Sequence, residues 1–203
     1  MVTIRVGNDI DYDFFTITKS YRDSSEGILA RATIEELYGQ QMDVFKQVDP
    51  ATFNIHMNWL VRRYLPTDGD PDEDQRLVKL YTLGETLEDT KVREAIIGSL
   101  MAKSNADGWY VPSVDTIMLA FGQSSSDSAL RRLLVEILVR KGTDKRIETL
   151  LEAAPADFAK ALAKELLKRK AVNSSQKFTT TDLADFRDSP DSTNRPIKRQ
   201  KRN

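Results

Sequence analysis

The chain has 203 residues, a formal net charge of −1 and no cysteine. A chain of this length can bury a hydrophobic core unaided, and the lack of cysteine excludes disulfides, thiolate nucleophiles and cysteine-ligated zinc or iron–sulfur centres. The near-neutral charge gives no global field that would attract nucleic acid or an anionic membrane.

The first residues, MVTIRVGNDID, lack the basic start and the apolar run of a signal peptide. No apolar stretch reaches the roughly 20 residues that span a bilayer. We therefore expect the protein in the nucleus and/or the cytoplasm, with no membrane partner.

The N-terminal residues predict a β-hairpin. Val2 to Val6 alternate between apolar and polar side chains, Gly7-Asn8-Asp9 suits a turn, and Phe14 to Ile17 restart an extended pattern. Met42 to Phe45 is a candidate third strand, although its pattern is short and only partly alternating.

From Asp49 onward the apolar residues recur at helical spacing. Asp49 before Pro50 is a typical start of a helix, with a capping carboxylate and a proline in the first turn. The first stripe consists of Phe53, Met57, Leu60 and Tyr64, and later stripes start at Leu77, Val92, Val114, Leu130, Ile147 and Phe158. Two or three strands followed by a run of helices predict an α+β fold in which helices dominate.

Beyond Lys170 the composition changes to Ser, Thr, Asp and basic residues, with few apolar residues and no sustained period. Such a segment cannot bury enough surface to offset its ordering entropy, so residues 171–203 are predicted to be a disordered tail. The tail ends in RPIKRQKR, a cluster typical of segments bound by nuclear import receptors. The predicted import residues are Arg195, Lys198, Arg199, Lys201 and Arg202. The alternative is a solvated basic tail that binds anions loosely.

No group of residues predicts an enzyme. His56 is the sole histidine, and a general base needs an orienting partner whereas a metal site needs three or four ligands. The acidic residues from Asp70 to Asp74 lack the spacing of a calcium loop and are interpreted as a linker. We therefore predict no catalytic residue, no metal ligand and no cofactor, and a structural or surface role for His56.

Two arginine pairs, Arg62-Arg63 and Arg131-Arg132, lie inside apolar helical patterns. They lack the basic, aromatic-rich face of a nucleic-acid-binding surface and are interpreted as helix-face charges or interface ion pairs. No direct nucleic-acid partner is expected. Trp109-Tyr110 is either a peptide-docking spot or a loop that anchors itself to the core.

Three segments in order resemble a divergent BTB/POZ domain: VTIRVG…FFTITKS, DPATFNIHMNWLVRRYLP and RLVKLYTLGETLEDTKVREAIIGSL. In that family the first strand carries Val-x-Val or Ile-x-Val, and an Asp-Pro-x-x-Phe helix start follows the third strand. Downstream, GWYVPSVDTIMLAF and SALRRLLVEILV resemble the helical extension of many filamentous-fungal BTB proteins. The resemblance implies a BTB/POZ-like domain over residues 1–104, a helical extension over 105–170 and the tail over 171–203.

The resemblance also implies a function: a non-enzymatic protein–protein interaction module, used as an oligomerising nuclear scaffold or regulator. Its partner would be a second copy of itself or another BTB protein. The interface implied by the family consists of Val2, Ile4, Val6, Ile28 and Leu29. The alternative is a substrate adaptor of a cullin-type ubiquitin ligase, whose partner would be a cullin. That alternative needs an apolar-x-Glu contact near the third strand and a substrate-reading domain, and neither is evident in the sequence.

Overall fold

A computed structural model describes residues 1–32, 43–65, 70–106, 110–169 and 185–186. In this part of the chain one short β-hairpin precedes a long series of helices. The fold is therefore α+β with helices dominant, as the change of hydrophobic period predicts. None of the described helices is both long enough and apolar enough to cross a membrane.

The hairpin consists of β1 (Val2–Gly7) and β2 (Tyr12–Ile17), which pair in antiparallel register with Ile4 opposite Phe15. Gly7 ends β1 with φ of 109°, and a Cβ there would lie 2.2 Å from the backbone oxygen of Asp11. Only glycine fits this turn. Because side chains alternate along a strand, one face of the hairpin packs on the core and the other points away from it.

Three short helices follow, with bounds Lys19–Ser24 (α1), Gly27–Arg31 (α2) and Asp43–Lys46 (α3). The predicted third strand is therefore wrong over Asp43 to Phe45, where the chain forms a helical turn; Met42 lies outside the described residues. Phe45 from this turn packs edge-on against Phe53, with ring centres 5.7 Å apart. A four-residue pattern is too short to distinguish a period of two from one of 3.6.

The remaining helices follow in chain order. Their bounds are Pro50–Arg62 (α4), Glu73–Thr86 (α5), Thr90–Ala106 (α6), Val114–Gln123 (α7), Ala129–Lys141 (α8), Asp144–Ala153 (α9) and Ala156–Arg169 (α10). The start of α4 is as predicted, since the Asp49 carboxylate accepts hydrogen bonds from the backbone N–H groups of Ala51 and Thr52. The end is not, because Arg63 adopts a left-handed conformation with φ of 53°. Tyr64 therefore leaves the predicted stripe and is 62% exposed.

One hydrophobic core runs from the hairpin to the last helices. Its fully buried side chains include Phe53, Leu60, Leu77, Leu80, Tyr81, Leu87, Ile96, Leu100, Leu130, Leu133, Leu134, Leu138 and Phe158. Phe158 of α10 packs edge-on against Phe121 of α7, at 5.3 Å between ring centres. Buried residues on both sides of position 104 belong to this cluster, and the predicted domain boundary there stays a prediction.

The turn between α5 and α6 joins distant parts of the chain. The Leu87 carbonyl accepts a hydrogen bond of 2.9 Å from the Ile28 N–H, and Arg31 pairs with Glu88. Gly27, with φ of +64°, lies so close to this turn that a Cβ would be 2.1 Å from the Leu87 oxygen. The backbone at the start of α2 therefore packs directly against the backbone of the α5–α6 turn.

Two residues of the predicted tail are described, Asp185 and Phe186. Phe186 is 8% exposed and belongs to the core, and Arg132 donates a hydrogen bond of 3.5 Å to the Asp185 carbonyl. The tail therefore contacts the core at this point. The rest of residues 170–203, including the predicted import cluster, lies outside the described residues.

Candidate interaction surface

The face of the hairpin that points away from the core carries exposed aromatic side chains. Tyr12 and Phe14 are 48% and 62% exposed, and their rings pack edge-on with centres 5.7 Å apart. The Arg5 guanidinium lies 4.1 Å from the centre of the Tyr12 ring. We call Arg5, Tyr12 and Phe14 the hairpin outer face.

The register of the hairpin builds this surface. Arg5 lies opposite Phe14, which makes Tyr12 its diagonal neighbour two residues along β2. Gly7 lies opposite Tyr12 and has no side chain, so the tyrosine ring is free to meet the arginine. On the other side of the sheet Phe15 packs against Phe53 at 4.8 Å between ring centres, which holds β2 on the core.

Three carboxylates lie near the hairpin outer face, Asp9 and Asp11 in the turn and Asp13 opposite Val6 on the other side of the sheet; we call them the acidic rim. Asp9 pairs with Arg5 at 3.2 Å, and Asp13 accepts a 2.7 Å hydrogen bond from the Phe14 N–H. Asp11 makes no side-chain contact of this kind with the described residues. Three carboxylates against one guanidinium leave this end of the hairpin acidic.

A surface groove of about 430 Å³ adjoins the rim between β2 and the start of α4. Asp11 and Asp13 line it on the β2 side, and Asp49 and Asn54 line it on the α4 side. In the described part of the chain β2 pairs with β1 alone, and the Phe14 N–H bonds the Asp13 side chain. The surface thus combines exposed aromatic rings with negative charge.

The interface implied by the family resemblance lies elsewhere. Val2, Ile4 and Val6 are at most 5% exposed because they form the inward face of β1. Leu29 is also buried, and Ile28 is partly buried. These side chains pack within the chain itself, and an interface that uses them stays a prediction.

His56 lies fully buried in α4, next to a partner that the sequence did not reveal. Its Nε2 is 3.0 Å from Asp89 Oδ2, and the Asp89 side chain is 1% exposed. The Trp59 ring stacks on the imidazole at 6.3 Å between centres. Asp89 also accepts a 3.2 Å hydrogen bond from the Val92 N–H in the first turn of α6.

A histidine paired with a carboxylate is the arrangement that orients a general base. Here both groups are enclosed by the core, and a substrate has no path to the imidazole of His56 in the described structure. The pair links the middle of α4 to the first turn of α6. Its chemistry is therefore that of a buried polar connection between helices.

The acidic segment interpreted as a linker also takes part in the structure. Glu73 and Asp74 lie in the first turn of α5 and accept hydrogen bonds of 3.1 and 2.7 Å from Lys103 Nζ. The Tyr110 hydroxyl donates a 2.9 Å hydrogen bond to Asp74. Burial and the Asp74 carboxylate raise the pKa of Tyr110. Tyr110 thus anchors its loop to the core; Trp109 and residues 67–69 lie outside the described residues.

The arginine pairs contribute to packing between helices. Arg63 lies 4.4 Å from the Trp59 ring centre and donates a 2.8 Å hydrogen bond to the Ser24 carbonyl. Arg131 donates to the Phe121 carbonyl at 2.7 Å and to Ser124 Oγ at 3.1 Å, at the C-terminus of α7. These two guanidinium groups are engaged with the chain itself.

No protein-family model, curated protein or solved structure matched this chain. The resemblance to BTB/POZ domains therefore stays a prediction from the sequence. The partners and the interface that it implies stay predictions as well.

Proposed function

We propose that the chain is a non-enzymatic protein–protein interaction module, an oligomerising nuclear scaffold or regulator, and that it contacts other proteins through the hairpin outer face. The observation that carries this proposal is the 62% exposure of Phe14 beside the exposed Tyr12. Large aromatic side chains that cluster in the open are typical of surfaces that a partner covers.

The energetics favour such a contact. Burying one large apolar side chain contributes about 1.5–3 kcal/mol, and Phe14 and Tyr12 lie side by side. The rings stand on a strand that the core holds from behind through Phe15 and Phe53. Little ordering entropy is then lost on binding, because the surface is already formed.

Self-association is the form of contact that we propose. In a two-fold contact the same surface is used by both copies, so Arg5 of one copy can face the acidic rim of the other. Tyrosine, phenylalanine and arginine are enriched in the centres of such interfaces. The basic cluster at residues 195–202 supports a nuclear location.

Sedimentation of the purified full-length chain over a range of concentrations tests the proposal. We expect the wild type to associate and Phe14→Ser to shift the equilibrium toward the monomer. Tyr64→Ser is the matched control, because Tyr64 is also 62% exposed but follows α4 and is not part of the hairpin. The control should associate as the wild type does.

The same variants can be tested in cells with two differently tagged copies of the chain. Co-purification that Phe14→Ser abolishes and Tyr64→Ser preserves would support an oligomerising module. A wild type that stays monomeric at every concentration and never co-purifies with its second copy would contradict it. A cullin recovered in place of a second copy would support the adaptor alternative.

A further inference from the structure

We propose that the turn of the hairpin in one copy of the chain, Asp9 to Asp11, inserts into a groove between helices of a second copy. We call these three residues the hairpin tip. The groove lies between the start of α4, α5 and the end of α7, and we call it the helix groove. The inference rests on the proposed function for self-association, and it adds a second contact in which an apolar side chain of one copy is buried by the other.

The hairpin tip presents an apolar side chain in a fixed position. Ile10 is 96% exposed. Asn8 Oδ1 accepts hydrogen bonds of 2.8 Å from the backbone N–H groups of Ile10 and Asp11, and Arg5 donates one of 2.9 Å to the Asn8 carbonyl. The turn is therefore formed before a partner binds, and little ordering entropy is lost when Ile10 is buried.

The helix groove has a volume of about 320 Å³ and can accept an apolar side chain. Val48 and Leu83 line it and are only 9% and 4% exposed, so they lie at its base. Thr52, Thr82 and Thr86 line it as well, and each hydroxyl already donates a hydrogen bond of 2.7–3.1 Å to an oxygen three or four residues earlier in the chain. An isoleucine can therefore enter without leaving these hydroxyls unpaired.

Charge favours the hairpin tip as the occupant of the helix groove. Lys79 lines the groove, is exposed, and makes no ion pair or hydrogen bond through its side chain with the described residues. The Asp11 carboxylate is also without such a partner, and it follows Ile10 directly in the chain. The groove's own carboxylate, Asp49, is engaged by the first turn of α4. An acidic side chain beside the inserted isoleucine therefore meets the opposite charge at Lys79.

The hairpin tip and the helix groove are neighbours on the surface. Asp11 and Asp49 line opposite sides of the 430 Å³ groove beside β2, and Asp49 also lines the helix groove. Because Ile10 is exposed, the chain's own tip does not fill its own groove. Two copies related by a two-fold axis can each place a tip in the other's groove, which closes a dimer.

Sedimentation of the full-length chain over a range of concentrations tests the inserted tip. Ile10→Ser should raise the dissociation constant about 100-fold, because each dimer loses two buried side chains that each contribute about a factor of ten. The variant should unfold at the same denaturant concentration as the wild type, since Ile10 is 96% exposed. Equal association of Ile10→Ser and the wild type would overturn the proposal.

Charge reversal tests whether the helix groove receives the tip. Asp11→Lys and Lys79→Glu should each weaken association about tenfold, and the variant that carries both should return to within about threefold of the wild type. Lys145→Glu is the matched control, because it reverses an exposed lysine on α9. The control should associate as the wild type does. A combined variant that associates no better than either single variant would overturn insertion into this groove.

Disulfide trapping locates the tip directly, because the chain contains no cysteine. Ile10→Cys in one copy and Thr86→Cys in a second copy of different mass should become linked under mild oxidation, since a disulfide needs the two residues within about 7 Å. Ile10→Cys mixed with Glu148→Cys, an exposed position on α9, should stay unlinked. Equal linking in the two mixtures would overturn the proposal.

The same variants separate the inserted tip from the proposed function. Association that Phe14→Ser weakens, and that Ile10→Ser and the charge reversals leave unchanged, would overturn the inserted tip and support the hairpin outer face. Association that Ile10→Ser and the charge reversals weaken, and that Phe14→Ser leaves unchanged, would overturn the hairpin outer face and support the inserted tip. A wild type that stays monomeric and unlinked at every concentration would overturn both.

Discussion

His56 Nε2 and Asp89 Oδ2 lie 3.0 Å apart in the core, in side chains that are 0% and 1% exposed. Removing one member of a buried polar pair leaves the other without a partner, at a cost of about 3–5 kcal/mol when the pair is charged. Asp89→Ala also removes the acceptor for the Val92 N–H. We expect this variant to lower the free energy of unfolding by about 3 kcal/mol, measured by guanidinium chloride denaturation.

Asp89→Asn is the control for this prediction. The amide keeps an acceptor for the Val92 N–H and a polar partner for the imidazole, so its cost should be clearly smaller than that of Asp89→Ala. If the two variants unfold at the same denaturant concentration as the wild type, the pair does not link α4 to α6 energetically.

The cluster around Asp74 predicts a loss of stability at alkaline pH. The pKa of Tyr110 is raised by burial and by Asp74. For Lys103, burial lowers the pKa, but hydrogen bonds and charges from Asp74 and Glu73 outweigh it and the net pKa is raised. Both groups hold their protons more firmly when folded, so their contribution is complete below about pH 10 and is lost as the pH rises further.

Tyr110→Phe distinguishes the contribution of Tyr110 to the pH dependence of stability from that of Lys103. At neutral pH we expect it to lose about 1.5–3 kcal/mol, the value of a hydrogen bond to a charged group. Above about pH 10 its free energy of unfolding should fall less steeply than that of the wild type. Urea denaturation at about pH 8 and about pH 10.5 measures both effects, and parallel pH profiles would refute the assignment to Tyr110.

Substitutions on the two faces of the hairpin should differ in how much they lower the free energy of unfolding. Ile4 is 5% exposed, and Ile4→Ala should cost about 2–4 kcal/mol because it leaves a cavity. Phe14→Ser should change the free energy of unfolding by about 0.5 kcal/mol at most, since Phe14 points away from the core. Thermal unfolding of both variants measures the difference, and similar losses would show that the outer face is also packed within the chain.

Alanine substitutions at two glycines should change the free energy of unfolding in opposite directions. Gly27→Ala places a Cβ against the Leu87 and Glu88 oxygens at a φ of +64°, and should destabilise the chain by more than about 1 kcal/mol. Gly98 lies inside α6 with nothing within 4 Å of a Cβ, so Gly98→Ala should stabilise by about 0.5–1 kcal/mol. Denaturant midpoints of the two variants test this, and an unchanged midpoint for Gly27→Ala would contradict the close backbone approach.

Local patterns predicted much of the fold. The alternation over Val2 to Val6 identified β1, and the Asp49-Pro50 pair identified the start of α4. The left-handed Arg63 could not be predicted in the same way, because arginine has no preference for that conformation and no glycine marks the end of the helix. The helix therefore stops before Tyr64.

The partner of His56 was missed for a different reason. Asp89 is 33 residues away in the chain, and before Thr90 it has the ordinary sequence of a helix cap. A capping aspartate and one that also binds a buried histidine look the same in sequence. The hairpin outer face could not be predicted either. The extended pattern from Phe14 to Ile17 indicates a strand, but which side of it the helices cover depends on packing across the whole chain.

The α5–α6 turn has a consequence for the order of folding events. Its contacts close long loops, such as the 57 positions that separate Arg31 from Glu88, whereas contacts among α5 to α8 join residues 30 to 40 positions apart, such as Lys103 with Glu73 and Ser125 with Glu85. Loop closure costs entropy that increases with length, and distant contacts slow folding. The helices from α5 to α8 should therefore assemble first, and α2 should settle against the turn late. In refolding followed by pulsed hydrogen exchange, the Ile28 amide should gain protection after the amides of α6.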